Sequence, residues 1–203
     1  MGCDIHLYVE VREDGQWVNK PLRHTYDGRN YNLFAILAGV RNRHDILPIS
    51  DPRGLPPDVS KEVEGEADGD HSHSWLTLAE LMAFDWTQTA KLSGFVNGPE
   101  YSRWADYGKG RGEGPDGYCQ GVGGGCVQHV SVAEMENLIK DVTNGLDWNA
   151  ARSAVESLHH YYCLVEWESP YWRCASEFIG CMFPQLWRLG APDDVRIVFW
   201  FDN

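Results

Sequence analysis

The sequence predicts an α+β fold in a single domain, and three observations carry that reading. Residues 3–10 alternate, with Cys3, Ile5, Leu7 and Val9 on one face and Asp4, His6, Tyr8 and Glu10 on the other. Residues 195–201 form a second strand pattern, apolar on one face and mostly so on the other, which suits the interior of a sheet. Between these ends the periodicity is mainly helical, at 31–40, from a cap at Ser74 or Thr77 through Met82, and at 132–142, 147–160 and 177–189. The expected architecture is a mixed or antiparallel central sheet holding the N- and C-terminal strands, surrounded by about four to five helices and long loops.

Each element has its own local cause. Asp14-Gly15 supplies a tight turn after the first strand, so Gln16-Trp17-Val18 completes a β-hairpin. Tyr31 to Val40 reads as a short apolar helix, with Arg41 and Arg43 at its C-terminal end, where cations complement the helix dipole. Pro48, Pro52, Pro56 and Pro57 then hold an extended loop around Arg53. His71 to Trp75 leads into a helix capped by Ser74 or Thr77, with Leu76, Leu78, Leu81 and Met82 as its stripe. Residues 96–127 read as a glycine-rich loop or lid within the single domain 1–203. Ser131 and Glu134 form a capping box before the helix at 132–142, and Pro184 kinks the helix at 177–189.

Composition narrows the partners. A formal net charge of −13 argues against a sequence-independent grip on duplex nucleic acid, which needs clustered cations. It leaves room for a small anionic or nucleotide-like ligand held by a local arginine cluster, for an acidic decoy, and for self-association. No apolar run approaches the ~20 residues needed to cross a bilayer, so no membrane partner is expected. The first residues show no basic and apolar leader, and the six cysteines lack C-x-x-C spacing, so free thiols and a cytoplasmic setting are expected.

The chemistry-bearing residues cluster in two places. Asp4 and His6 share a strand face, and His71 and His73 repeat the spacing. Imidazole and carboxylate are the usual ligands of zinc and manganese, so Asp4, His6, His71 and His73 are the candidate catalytic and metal-holding set for a divalent transition ion. Arg41, Arg43 and Arg53 are candidates for fixing phosphate oxygens, with Tyr31 or Trp75 stacking on a base. Gly121 to Gly125 lacks the lysine of a phosphate-binding loop. Of the H-x-S pattern, only His129-Val130-Ser131 is present, and Ser131 is committed to its cap.

Asp4-Ile5-His6 resembles the opening D-x-H of calcineurin-like metallophosphoesterases, whose later histidine segments are absent here. Taken whole, the chain resembles a group of proteins met in phage and prophage genomes. The motifs are Met1-Gly2-Cys3-Asp4-Ile5-His6, Ala38-Gly39-Val40-Arg41-Asn42, His71-Ser72-His73-Ser74-Trp75 and Phe199-Trp200-Phe201-Asp202-Asn203. That resemblance implies a viral protein in host cytoplasm and an anti-defence setting. With the residues above, it gives the expectation of a metal-dependent hydrolase of a phosphoester or nucleotide-derived small molecule, such as a host immune signal. The alternatives are a non-catalytic protein that sequesters such a ligand, or an acidic decoy for a host nucleic-acid-binding protein.

Overall fold

The computed structural model describes residues 2–67 and 69–202. Along the chain run β1 (Ile5–Glu13), β2 (Gln16–Asn19), α1 (Tyr31–Ala38), α2 (Lys61–Glu66), β3 (His71–Thr77), α3 (Leu78–Ala83), β4 (Thr89–Asn97) and α4 (Gly98–Arg103). There follow β5 (Gln128–His129), α5 (Val132–Thr143), α6 (Trp148–Val155), β6 (Tyr161–Pro170), α7 (Tyr171–Cys174), α8 (Ser176–Leu186) and β7 (Val195–Phe201). The fold is α+β, with two sheets. The residues group into two compact units, Met1–Gln88 with Pro170–Asn203, and Thr89–Ser169.

The first unit is built on an antiparallel sheet in the order β2-β1-β7-β3, so the first and last strands are its centre, as expected. Asp14 and Gly15, at φ 49° and 82°, make the left-handed turn of the β1–β2 hairpin. Each residue of β7 is buried, because both faces of the sheet are covered. On one face Phe34 of α1 lies 4.9 Å from Phe201, ring to ring. Helix α1 starts on the Asn30 side chain, which accepts from Leu33 N, and stops at Gly39 in the left-handed region. On the other face Val63 of α2 packs with Val198 and Trp200, joined by Leu55, Val59 and Ala67.

That second face also buries charge. Arg196 of β7 donates through Nε to Glu10 Oε2 at 2.7 Å and through its Nη1 to Asp58 Oδ1 at 2.7 Å. Glu10 accepts a further bond from Ser60 N, and Trp17 Nε1 donates to Asp58. The Arg196 guanidinium sits 4.0 Å above the Trp17 ring. Burial raises the Asp58 carboxyl, yet the Arg196 bonds and the Trp17 donor together hold it below its ordinary value.

Two segments differ from the sequence reading. Residues 71–77 are a strand paired with β7, because Leu76 and Trp75 continue its two faces, and the helix begins only at Leu78. Its start is fixed by a capping box between Thr77 and Glu80, the second of the two caps considered. Residues 89–97 are also a strand, which the reading passed over. Among the described residues the five expected helices correspond to α1, α3, α5, α6 and α8. The others, α2, α4 and α7, span six residues or fewer and are too short to display a period.

The second unit carries a sheet in the order β4-β6-β5 over a core of Val96, Tyr101, Trp104, Met135, Cys163 and Val165. The glycine-rich stretch 96–127 is only partly irregular. It holds α4, a π-helical turn at Trp104–Gly108 and a 3-10 turn at Lys109–Arg111. Phe95 and Cys119 then exchange backbone hydrogen bonds of 2.8 and 3.0 Å.

Removing the guanidinium alone strands a buried carboxylate, whereas removing both charges does not. Arg196→Met should therefore cost about 3–5 kcal/mol in urea unfolding, and the double variant with Glu10→Leu should recover a large part of the loss. Purely additive single losses would show that the two charges do not act as a pair.

Candidate functional site

The candidate residues of β1, β7 and β3 meet at one end of the first sheet, where β1 and β3 begin and β7 ends. Asp4 N donates to Asp202 Oδ1 at 2.9 Å, and Asp202 N donates back to Asp4 O at 3.2 Å. His6, cross-strand from Trp200, lies parallel to its ring at 6.2 Å. Its Nε2 is 3.3 Å from Asp202 Oδ2 and 3.9 Å from Asp70 Oδ2. The imidazole is therefore held between two carboxylates while 42% of its side chain stays exposed.

Asp4 is turned toward Arg29, which donates to its two oxygens at 2.6 and 2.5 Å. This forked bond holds the Asp4 carboxyl below the usual range, helped by the charges of Arg29 and His6. The Asp202 carboxyl is also lowered, first by the Asp4 backbone N–H and then by His6. Gly2 makes room for the arrangement, since a Cβ there would stand 2.3 Å from an Arg29 nitrogen. Tyr31, at the start of α1, accepts from Cys3 N and tilts against Phe34.

The H-x-H pair does not present both rings to one face. A β-bulge falls between His71 and Ser74, with Ser72 at φ 55°. His71 consequently opposes Phe201, while His73 packs 5.6 Å from Trp200, its successive neighbour on the opposite face. His71 Nδ1 meets Ser72 Oγ at 2.9 Å and its Nε2 is buried without a hydrogen-bond partner. His73 Nε2 meets the carbonyl of Ala67 at 3.3 Å. Asp4, His6, His71 and His73 are thus not all presented on one face: the bulge divides the two histidines of β3, and Arg29 engages Asp4. Among the described residues no three His, Cys, Asp or Glu side chains are arranged to hold a metal ion.

The arginines separate as well. Arg41, Asp51, His71, Ser72 and the backbone around Gly39 line an open cleft of about 520 Å³. Arg53 lies outside that lining, bonded to Glu80 Oε1 at 2.7 Å and placed 5.0 Å over the Trp75 ring. Trp75 is also approached by Arg196, so cations flank the ring expected to stack on a base. Arg43 is exposed. Arg29 and Asp70 join the site beyond the candidates named from sequence: Asp70 directly precedes the histidine motif, and Arg29 belongs to the positive stretch that also holds Arg41, Arg43 and Arg53.

Compared with known proteins, the chain matches no protein-family model, no curated protein and no solved structure. Among the described residues no helix is long and apolar enough to cross a membrane.

The lowered carboxyls set a sign for the acid response. A group whose folded value lies below its unfolded value adds stability above the unfolded value, near 3.8 for Asp. That stability is lost as pH falls through the depressed one. Thermal melting should therefore fall as pH drops from 5 to below about 3, and Asp4→Asn should flatten that fall. An unchanged acid limb in the variant would separate Asp4 from the effect.

Proposed function

We propose that this protein is a hydrolase of a phosphoester in a small nucleotide-derived molecule, with His6 as the general base oriented by Asp202. The observation that supports this reading is the His6 imidazole, half-exposed against Trp200, with Nε2 between Asp202 and Asp70. An imidazole that gives its Nε2–H to a carboxylate offers Nδ1 as the basic atom, and the carboxylate stabilises the imidazolium formed when a water proton is taken. Trp200 backs the ring on one side, which limits its motion.

Substrate anion would be met by arginine. Arg29 has five N–H donors, of which Nε and one terminal nitrogen serve Asp4, and its side chain is 53% exposed. Arg41 lines the neighbouring cleft together with His71. The expected zinc or manganese ion enters this reading only as a cofactor to be tried in the assay, since among the described residues no three of these side chains are arranged to hold one. The reading places the protein in a phage-linked, anti-defence setting, where the substrate would be a nucleotide immune signal.

A second reading is favoured by one feature, the open cleft of about 520 Å³ lined by Arg41, Ser72 and His71. A protein that only sequesters the ligand would use Arg41 there and would not need His6 as a base.

Turnover of bis(p-nitrophenyl) phosphate, with and without added manganese or zinc, tests the proposal. His6→Gln should lower kcat by about 10²–10⁴, the usual worth of a positioned base, and Asp202→Asn should lower it less. Equal turnover in wild type and His6→Gln would end the catalytic reading, and nucleotide binding that survives in His6→Gln but fails in Arg41→Ala would favour sequestration.

A further inference from the structure

The second unit holds a cavity of about 310 Å³ between α4, the π-helical turn, α5 and α6. We propose that it is a binding site for an uncharged purine nucleoside, independent of the His6–Asp202 site. Four observations converge on that class of ligand. The volume is at the low end of the roughly 300–1,000 Å³ of small-molecule pockets, which accommodates a base with its sugar.

The second observation is an aromatic platform. Trp148 lines the cavity from the start of α6 and is 63% exposed, an unusual placement for the largest apolar side chain. Arg152, one turn on, lies 5.6 Å from its ring, so the indole is stiffened by a cation at i+4. Tyr107, on the facing π turn, is also exposed. A flat heteroaromatic ring that slides onto Trp148 would remove this apolar area from water.

The third is the charge of the wall. Arg103 and Arg152 are matched by Asp106 and Glu156, so the lining carries no net charge within a chain of −13. Carboxylates accept from the N–H edge of a purine, and guanidinium groups donate to its carbonyl or ring nitrogen. The same carboxylates repel a triphosphate. Arg103 is held in place by Glu100, a buried carboxylate that also accepts from Gly117 N at 2.8 Å.

The fourth is the π turn itself. The wider turn at Trp104–Gly108 sends Trp104 into the core, where its Nε1 bonds Glu113 O, and leaves Asp106 and Tyr107 on the cavity wall. Such turns are rare and concentrate at functional sites. Pro99, Ile139, Ala151 and Val155 supply an apolar floor.

Isothermal titration of the full chain with guanosine, GMP and GTP tests the site. Guanosine should bind saturably, GTP no more tightly than guanosine, and affinity should change little between low and high salt. Trp148→Ala, at an exposed position that leaves the fold intact by circular dichroism, should weaken guanosine at least about fivefold. Asp106→Asn with Glu156→Gln should weaken guanosine while improving GTP. No saturable heat with guanosine, full affinity in Trp148→Ala, or salt-sensitive binding in which GTP is tightest would each overturn the proposal.

Discussion

The first unit depends on one arginine that cannot reach water. Arg196 stands one residue inside the start of β7, a strand buried on both faces, and its side chain is 2% exposed beside a Glu10 at 0%. A lone guanidinium there would be prohibitive, so the surrounding chain is arranged to answer it. Glu10 comes from β1, Asp58 from the loop before α2, Ser60 from the α2 cap, and the rings of Trp17 and Trp75 from β2 and β3. Every strand of the sheet and its covering segment therefore contributes to one charge. Because β1 and β7 are in register through this pair, with Glu10 opposite Arg196, the same register carries His6 opposite Trp200. A slip of one residue would exchange the faces and dissolve both ends together.

The two ends of the sheet face solve opposite electrostatic problems. At the Arg196 end, acids and aromatic rings enclose a cation that water does not reach. At the His6 end, the carboxylates of Asp4, Asp70 and Asp202 outnumber Arg29 and stay partly in solvent. The aromatic stack of Tyr8, Trp200 and His73 separates the two regions.

Much of this was legible in the residues themselves. The alternation of β1 and the apolar run of β7 gave their places at the sheet centre, and the caps of α3 and α5 gave helix starts, because these signals are local. Nothing in the alternation of β1 announces that Glu10 is buried against a cation, because its partner lies 186 positions away in the chain. His71 and His73 looked like a same-face pair because a bulge cannot be read from spacing: Ser72 adopts a left-handed backbone that its residue type does not announce. Arg53 looked like a phosphate ligand for the same reason, since Glu80 meets it only through the fold. Strand β4 escaped notice because its buried face, Ala90, Leu92, Gly94 and Val96, is half made of small residues.

The placement of β7 between β1 and β3 also governs how the chain acquires its shape. Ile5 pairs with Phe201, so the central ladder closes the longest loop available between strands. Among the described residues it is the last strand to be synthesised, and until it arrives β1 and β3 each present an unpaired apolar edge. Local pieces such as the β1–β2 hairpin and α5 can form early, whereas the central sheet must wait for a contact of very high sequence separation. The first unit is thus expected to pass through a sticky half-sheet, and anything that occupies the vacant slot during that interval competes with the chain's own final strand.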